Sequence, residues 1–134
     1  KEAYEPGDVL IISPTEPGQV ARCSRPYDTA VIGVYSARPG VLGADKGGVT
    51  EVGSDEIPVA IVGIVRVKVS TENGAIRPGD LLTTSATPGH AMRASPITAN
   101  GVTFYGSGVI LGKALEGLDL SQGSGTILML VTLQ

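Results

Sequence analysis

The side chains that most often carry out covalent chemistry are scarce in this chain. It contains one histidine, His90, and one cysteine, Cys23. A nucleophilic triad would have to use His90 as its base. His90 directly follows a Pro-Gly turn at the start of a short predicted strand, where an exposed polar residue without special reactivity is expected. Cys23 ends another predicted strand and is expected to be a small buried side chain. We therefore predict no catalytic residue and no enzymatic activity.

Metal-binding and paired-carboxylate patterns are also missing from the sequence. One His and one Cys cannot supply the clustered ligands of a zinc site. Asp45 lies in a Gly-rich loop and Asp55 is adjacent to Glu56, but neither has the alternating acidic spacing of a calcium loop. Two carboxylates that hydrolyse a glycoside must flank a cleft about 5 to 10 Å apart. Spacing alone selects no such pair from Asp28, Asp55, Glu72 and Glu116. We predict neither a metal site nor a cofactor.

Phosphate, nucleic-acid and membrane ligands are disfavoured by composition and spacing. The segment Gly106–Lys113 is glycine-rich, but its spacing misses both common phosphate-loop patterns, and no helix follows it. The net charge is −3, only 4% of residues are aromatic, and Lys and Arg form no cluster, so the usual features of a nucleic-acid surface are missing. With 42% hydrophobic residues the chain is expected to be globular, and no apolar run reaches the 18 residues of a membrane span.

The pattern of apolar residues predicts strands. Val and Ile are more than twice as common as Leu, and Gly or Pro interrupts nearly every apolar run, which favours strands and turns over helices. Eight strands are predicted: Asp8–Ser13, Gln19–Cys23, Ala30–Ser36, Pro58–Val69, Asp80–Ser85, His90–Ala94, Gly108–Leu115 and Thr126–Leu133. The longest should begin buried on both faces and bend at Gly63 to serve two sheets. It leads to Asn73-Gly74, a pair typical of a type I′ hairpin turn. We predict an all-β fold, either a compact barrel or a jelly-roll-like sandwich.

An internal repeat is the strongest pattern in the sequence. The segment Pro6–Ser13 recurs as Pro78–Ser85, and Pro17–Ser24 recurs as Pro88–Ser95. Each copy opens with a Pro-Gly turn, in which Pro presets φ and Gly takes a positive φ. The repeat predicts one β domain over residues 1–134, built from two interlocking halves at about 6–69 and 78–134. Residues 38–56 and 96–107 are predicted to be irregular insertions.

The two ends of the chain suggest self-association. Thr126–Leu133 is almost continuously apolar and must be covered on both faces, either as a central strand or by sharing between chains. Residues 1–5 form a polar lead-in that could be a tether or an added edge strand. The chain starts with Lys instead of Met, so we expect any signal peptide to have been removed already.

Residues Ile57–Val69, Ile76–Ser85 and Val31–Ser36 together resemble β domains near the ends of phage tail-fibre and bacterial surface proteins, including the self-cleaving peptidase G2 fibre domain. The resemblance spans about Pro6 to Leu133, and its motifs specify fold more than activity. It implies an extracellular, non-enzymatic, oligomerising module. No nucleophile and base match residue by residue, so self-cleavage is not carried over.

These observations predict a structural protein that assembles with itself, as the protomer of an extracellular bacterial fibre or filament. Two alternatives remain open. The first is a glycan-binding module that uses the insertions and the aromatic residues Tyr27, Tyr35, Phe104 and Tyr105. The second is a self-processing enzyme that uses His90.

Overall fold

A computed structural model describes residues 4–36, 49–52 and 57–134. These residues form an all-β fold, as the sequence predicts. All eight predicted strands are present, the predicted Pro58–Val69 as two separate strands, and three further short strands add to them. The twelve strands are β1 (Val9–Ile12), β2 (Val20–Arg22), β3 (Val31–Tyr35), β4 (Val49–Val52), β5 (Ile57–Ala60), β6 (Gly63–Ser70), β7 (Leu81–Thr84), β8 (Ala91–Arg93), β9 (Ile97–Ala99), β10 (Val102–Phe104), β11 (Ile110–Ala114) and β12 (Ser124–Val131). One turn of 3₁₀ helix, Leu120–Gln122, precedes β12.

The strands form an open sheet, a closed barrel and a two-stranded ribbon. The open sheet has the order β2-β1-β3-β5-β4, the barrel has the order β11-β12-β6-β8-β7, and β9 pairs only with β10. Neighbouring strands are antiparallel except β6 and β8, which are parallel. A single hydrophobic cluster contains Val9 and Val34 from the open sheet together with Val67, Leu111 and Met129 from the barrel. The sheet and the barrel therefore share one core.

The long apolar run after Pro58 serves both sheets. It forms β5 in the open sheet and β6 in the barrel, and Gly63, the first residue of β6, has a φ of 104°. The predicted bend at Gly63 is confirmed. Val59 and Ala60 are fully buried, but Ile61 and Val62 are exposed. The prediction that the run begins buried on both faces therefore holds only for β5, because the chain leaves both sheets between β5 and β6.

The open sheet and the barrel use the same pairing scheme. Leu10 of β1 lies opposite Arg22 of β2, and Leu82 of β7 lies opposite Arg93 of β8. β1 also pairs with β3 through a register shift, and β7 pairs with β11 through a shift at the corresponding place. The β1–β2 and β7–β8 pairs lie in the two aligned segments of the sequence repeat, whereas β6, which belongs to the predicted first half, pairs within the barrel.

Two of the predicted local features are wrong. Asn73 is not in a left-handed conformation; Gly74 N–H donates to the Thr71 carbonyl in a turn that joins unpaired strands. The type I′ conformation is found instead at Asn100 and Gly101, with φ of 52° and 77°. Residues 96–107, predicted to be irregular, therefore contain the β9–β10 hairpin. An Asn-Gly pair makes a hairpin only where the residues on its two sides can pair as strands. Beside Asn100-Gly101, Ile97–Ala99 pairs with Val102–Phe104, and apolar residues alternate with threonine in both segments.

The last strand, β12, is central in the barrel, with β11 and β6 on its two sides. Ile127, Met129 and Val131 point into the core and are buried, whereas Leu128 and Leu130 are half-buried and Thr126 is exposed. β12 is thus a central strand, one of the two settings that the sequence predicted. Its outward face is only partly covered within the chain, because alternate residues of a barrel strand point outward. Both of its edges are already paired near the C-terminal end, where Met129–Val131 lie between β11 and β6.

Candidate functional site

His90 and Cys23 lie close together, but not as an acid–base pair. The Cys23 thiol and the Ser85 hydroxyl both donate to the backbone carbonyl of His90, at 3.2 and 2.7 Å. The His90 ring bonds through Nδ1 to the Pro88 carbonyl, at 2.8 Å. Cys23 is fully buried, and burial raises the pKa of its thiol above 9.0. This arrangement holds a turn in place and provides no activated nucleophile.

The carboxylates considered as catalytic pairs are each bound to local structural partners. Asp28 is buried and accepts from Ala30 N–H, with Arg25 Nε at 3.4 Å. Glu116 accepts from Leu128 N–H at 2.9 Å and pairs with Arg66.

Glu72 is held in the same way by the turn between β7 and β8. Although partial burial would raise the pKa of Glu72, bonds from the Thr87 hydroxyl, Ala86 N–H and the Ser70 hydroxyl lower it overall. Asp45, Asp55 and Glu56 lie outside the described residues.

The strongest charged cluster surrounds Asp8, whose importance the sequence did not reveal beyond its place in a turn. Asp8 is only 1% exposed and accepts bonds from Glu5 N–H, Arg22 Nε and Lys68 Nζ, at 2.8, 2.9 and 2.9 Å. Lys68 also pairs with the Glu5 carboxylate. The repeat counterpart Asp80 accepts from Arg77 N–H in the same turn geometry, but no cation is described beside it.

The charges around Asp8 shift two pKa values in opposite directions. Burial by itself would raise the pKa of Asp8, but the bonds from Glu5, Lys68 and Arg22 outweigh it and the pKa lies below 3.8. For Lys68, desolvation lowers the pKa, and the bonds to Glu5 and Asp8 raise it overall above 10.5. Both groups are therefore charged at neutral pH and link the first turn of the open sheet to β6 of the barrel.

The most distinctive surface is the β9–β10 hairpin, residues 97–104, which we call the arm. Ile97 lies opposite Phe104 and Ala99 lies opposite Val102, so these four side chains share one face. Ile97, Val102 and Phe104 are 48%, 59% and 45% exposed. The opposite face carries Thr98 and Thr103, whose hydroxyls are 3.2 Å apart. The arm has only two strands, and its apolar face is not covered by any described part of the chain.

The base of the arm is firmly attached to the barrel. Ala94, Val109 and Ile110 are buried together, with Leu81 packed against them. Ala94 N–H donates to the Leu81 carbonyl at 2.8 Å, and the Thr83 hydroxyl donates to the Val109 carbonyl at 2.6 Å. Rigid ends below an exposed ribbon are a suitable way to present a contact surface.

The signal for the arm was present in the sequence. Ile97-Thr98-Ala99 and Val102-Thr103-Phe104 alternate around Asn100-Gly101, which is the common pattern of a two-residue hairpin. The neighbouring segment Gly106–Lys113 is glycine-rich without matching a phosphate-loop pattern. In the structure that segment is the entry to β11, and Val109, Ile110 and Leu111 are buried.

The aromatic residues proposed for glycan binding occupy different settings. Tyr35 is half-buried in β3. Phe104, the last residue of β10, and Tyr105, which follows it, are exposed. Tyr27 has a left-handed φ of 53°, and its hydroxyl accepts from Ser95 N–H at 2.9 Å. Tyr27 is thus next to the start of the 96–107 insertion, as part of the 24–30 loop.

An open groove of about 470 Å³ lies beside this loop. Its lining includes Ile12, Ser13, Ser24, Arg25 and Asp28. A non-glycine residue held at positive φ is uncommon and tends to occur at functional sites. The groove is therefore the second candidate surface of the molecule.

In the parts of the chain that the structure describes, no three His, Cys, Asp or Glu side chains are placed to hold a metal ion. Those parts also contain no helix long and apolar enough to cross a membrane. No protein-family model, curated protein or solved structure matches the chain.

Proposed function

We propose that this protein is a non-enzymatic structural β-protein that associates with itself, as the repeating protomer of an extracellular bacterial fibre or filament. The observation that carries the proposal is the arm. Its apolar face is uncovered, although its base is rigidly packed into the barrel.

The physical argument rests on the stability of two-stranded ribbons. A single hairpin is marginally stable in water and needs a third strand or a packing surface on its apolar face. Exposed strand edges and contiguous apolar patches are also the features that other chains recognise. Within its own chain the arm has neither cover nor a third strand among the described residues. A second copy of the protein supplies both needs.

The expectations of no catalysis, an extracellular location and a fibre role belong to this proposal. The groupings of Cys23, His90 and the described carboxylates support it because each is bound to local backbone or to a neighbouring charge. The resemblance to surface-fibre domains favours the same function.

The test is sedimentation velocity and electron microscopy of the purified protein over a concentration series. We expect oligomers or filaments in the wild type and a shift toward monomer in Phe104→Asp. Thr103→Asp is the matched control, because it adds the same charge to the opposite face of the same strand. A wild type that is monomeric at every concentration, or equal loss in both variants, contradicts the proposal.

A second candidate function is ligand binding in the groove beside the 24–30 loop, where the exposed Arg25 and the buried Asp28 are both lining residues. The partly polar lining, with Ser24, Arg25 and Asp28, is compatible with a saccharide. Titration with a panel of bacterial surface glycans, followed by NMR, should perturb residues 24–30 if this is correct. Unperturbed signals across the panel would remove this candidate.

We also propose that the two halves are copies of one ancestral unit. The matched β1–β2–β3 and β7–β8–β11 pairings support this, and so do two glycines. A Cβ on Gly33 would overlap with the Ala60 carbonyl, and one on Gly112 would overlap with the Leu130 carbonyl. Such equivalence predicts that Gly33→Ala and Gly112→Ala both destabilise the fold, Gly33→Ala by more because Gly33 also has a positive φ of 155°.

A further inference from the structure

The chain contains two asparagines, Asn73 and Asn100, and each is followed by glycine. An asparagine before glycine can lose its side-chain amide without an enzyme, because glycine has no Cβ to hinder the approach of its backbone nitrogen to the asparagine Cγ. The sequence does not distinguish the two pairs in this respect. The structure places them in different surroundings.

Both reacting groups of the Asn73-Gly74 pair are held by hydrogen bonds. Asn73 Nδ2 donates to the Arg93 carbonyl at 2.8 Å and to the Ser95 hydroxyl at 3.0 Å. Gly74 N–H donates to the Thr71 carbonyl at 2.9 Å. The side-chain amide must therefore leave two acceptors, and the attacking nitrogen must leave a third, before Cγ and the nitrogen can meet.

The Asn100-Gly101 pair forms the exposed tip of the arm, with φ of 52° and 77°. Among the described residues, neither the Asn100 side chain nor Gly101 N–H has a hydrogen-bond partner. Ring closure between them needs only the turn itself to open. The tip of a two-stranded ribbon opens more easily than a turn that is bonded to a barrel strand.

We propose that Asn100 is a site of spontaneous deamidation and that the fold protects Asn73 from the same reaction. The Gly101 backbone nitrogen gives its proton to solvent hydroxide and attacks Cγ of Asn100. A bond forms between Cγ and this nitrogen, the Cγ–Nδ2 bond breaks, and Nδ2 takes a proton from water and leaves as ammonia. Water then opens the five-membered succinimide at one of its two carbonyls, giving aspartate or isoaspartate. One water is consumed, one ammonia is released, and nothing is oxidised or reduced.

Either product changes the arm. No charged residue lies between Ala94 and Gly112, so the new carboxylate introduces the first charge into this stretch. Isoaspartate also adds a methylene to the main chain, inside a two-residue loop whose length fixes the pairing of Ala99 with Val102. Where the arm mediates the proposed self-association, deamidation weakens it. The reaction itself does not depend on that function.

The experiment is peptide mapping by mass spectrometry of the native wild-type protein, kept dilute at mildly alkaline pH and sampled over time. Asn100 should deamidate at least about tenfold faster than Asn73, because Asn73 must first break the hydrogen bonds of its amide. The same protein in urea is the reference. There both pairs lack tertiary contacts and should react at similar rates.

Ser95→Ala is the control variant for the protection of Asn73. It removes one acceptor of the Asn73 amide and lies outside the arm, so it should speed the reaction at Asn73 about fivefold and leave Asn100 unchanged. Circular dichroism verifies that the variant is folded.

Similar rates at the two asparagines of the native protein, whether both fast or both slow, would overturn the proposal. An unchanged rate at Asn73 in Ser95→Ala would overturn the explanation of its protection. The readout is a change of mass in individual peptides, so the result is the same whether or not the protein associates with itself. Failure of this inference is therefore distinguishable from failure of the proposed function.

Discussion

The charged cluster around Asp8 allows a quantitative prediction about how the open sheet is held to the barrel. Replacing Asp8 by Asn preserves size and keeps one acceptor oxygen for Glu5 N–H, but it removes the negative charge between Arg22 and Lys68. Both cations are largely buried, with 24% and 20% of their side chains exposed. In the variant they face a neutral amide that offers at most one of them an acceptor.

The free energy of unfolding that Asp8→Asn loses can be worked out from the two hydrogen bonds that Asp8 accepts from Arg22 and Lys68. Each bond to a charged group contributes about 1.5 to 3 kcal/mol. Both cations keep some contact with water, and Lys68 retains its pair with Glu5. We therefore take the lower value for each bond and expect Asp8→Asn to lower the free energy of unfolding by about 3 kcal/mol. For a chain of this size that corresponds to a decrease in Tm of about 10 °C.

The repeat provides a matched control in Asp80. Its carboxylate accepts from Arg77 N–H at 2.9 Å, as Asp8 accepts from Glu5 N–H, but it lies near the surface without a described cation. Asp80→Asn should therefore cost about 0.5 kcal/mol or less. Urea unfolding followed by circular dichroism at pH 7 measures both variants.

The pH dependence gives an independent check on the same cluster. The folded pKa of Asp8 lies below its ordinary 3.8, so the stability it contributes is present above pH 3.8 and is lost as the pH falls through the folded pKa. The folded pKa of Lys68 lies above 10.5, so its contribution is present below pH 10.5 and is lost as the pH rises through the folded value. The difference in unfolding free energy between wild type and Asp8→Asn should thus be largest between about pH 5 and 9 and shrink at both extremes. Equal destabilisation by Asp8→Asn and Asp80→Asn, or a difference that does not change with pH, would refute the reasoning.

Two further predictions concern buried positions. Gly112→Ala should lower the unfolding free energy by about 3 kcal/mol, because its Cβ would overlap with the Leu130 carbonyl and lie 2.8 Å from the Met129 sulfur. Gly106→Ala is the control, since neither glycine has a left-handed φ and the Gly106 Cβ meets its nearest neighbour at 3.4 Å; similar unfolding midpoints for the two variants would count against the packing argument. Cys23, buried and with a raised pKa, should react with Ellman's reagent at pH 8 only after unfolding in urea. Rapid labelling of the native protein would show that the thiol is accessible.

Much of the fold was predictable because its signals are local. Alternating apolar residues, Pro-Gly turns and the repeat located all eight main strands, and the positive φ of Gly63 appeared where the long run had to bend. Glycine is needed at positions 33 and 112 for a reason that is not local. The carbonyls of Ala60 and Leu130, which are distant in sequence, lie where a Cβ would be. The role of these two glycines therefore could not be derived from their neighbours in the chain.

The arm and the Asp8 cluster show where local reasoning fails. Two Asn-Gly pairs occur, and only pairing of the flanking residues made Asn100-Gly101, and not Asn73-Gly74, into a hairpin. Asp8 and Asp80 lie in the same sequence motif, yet among the described residues two cations bind Asp8 and none is found beside Asp80. Lys68 reaches Asp8 from a strand 60 residues away, and that proximity depends on how β6 closes the barrel.

The sequence by itself determined the all-β class, the positions of the eight predicted strands, the Pro-Gly turns and the scarcity of groups that could carry out catalysis. Strand periodicity and Pro-Gly turn conformation depend on neighbouring residues. Only the tertiary structure decided that β6 closes a barrel beside an open sheet, that Asp8 is buried between two cations, and that the apolar face of the arm is left uncovered. These features depend on contacts between residues far apart in the chain, whose energies no local pattern contains.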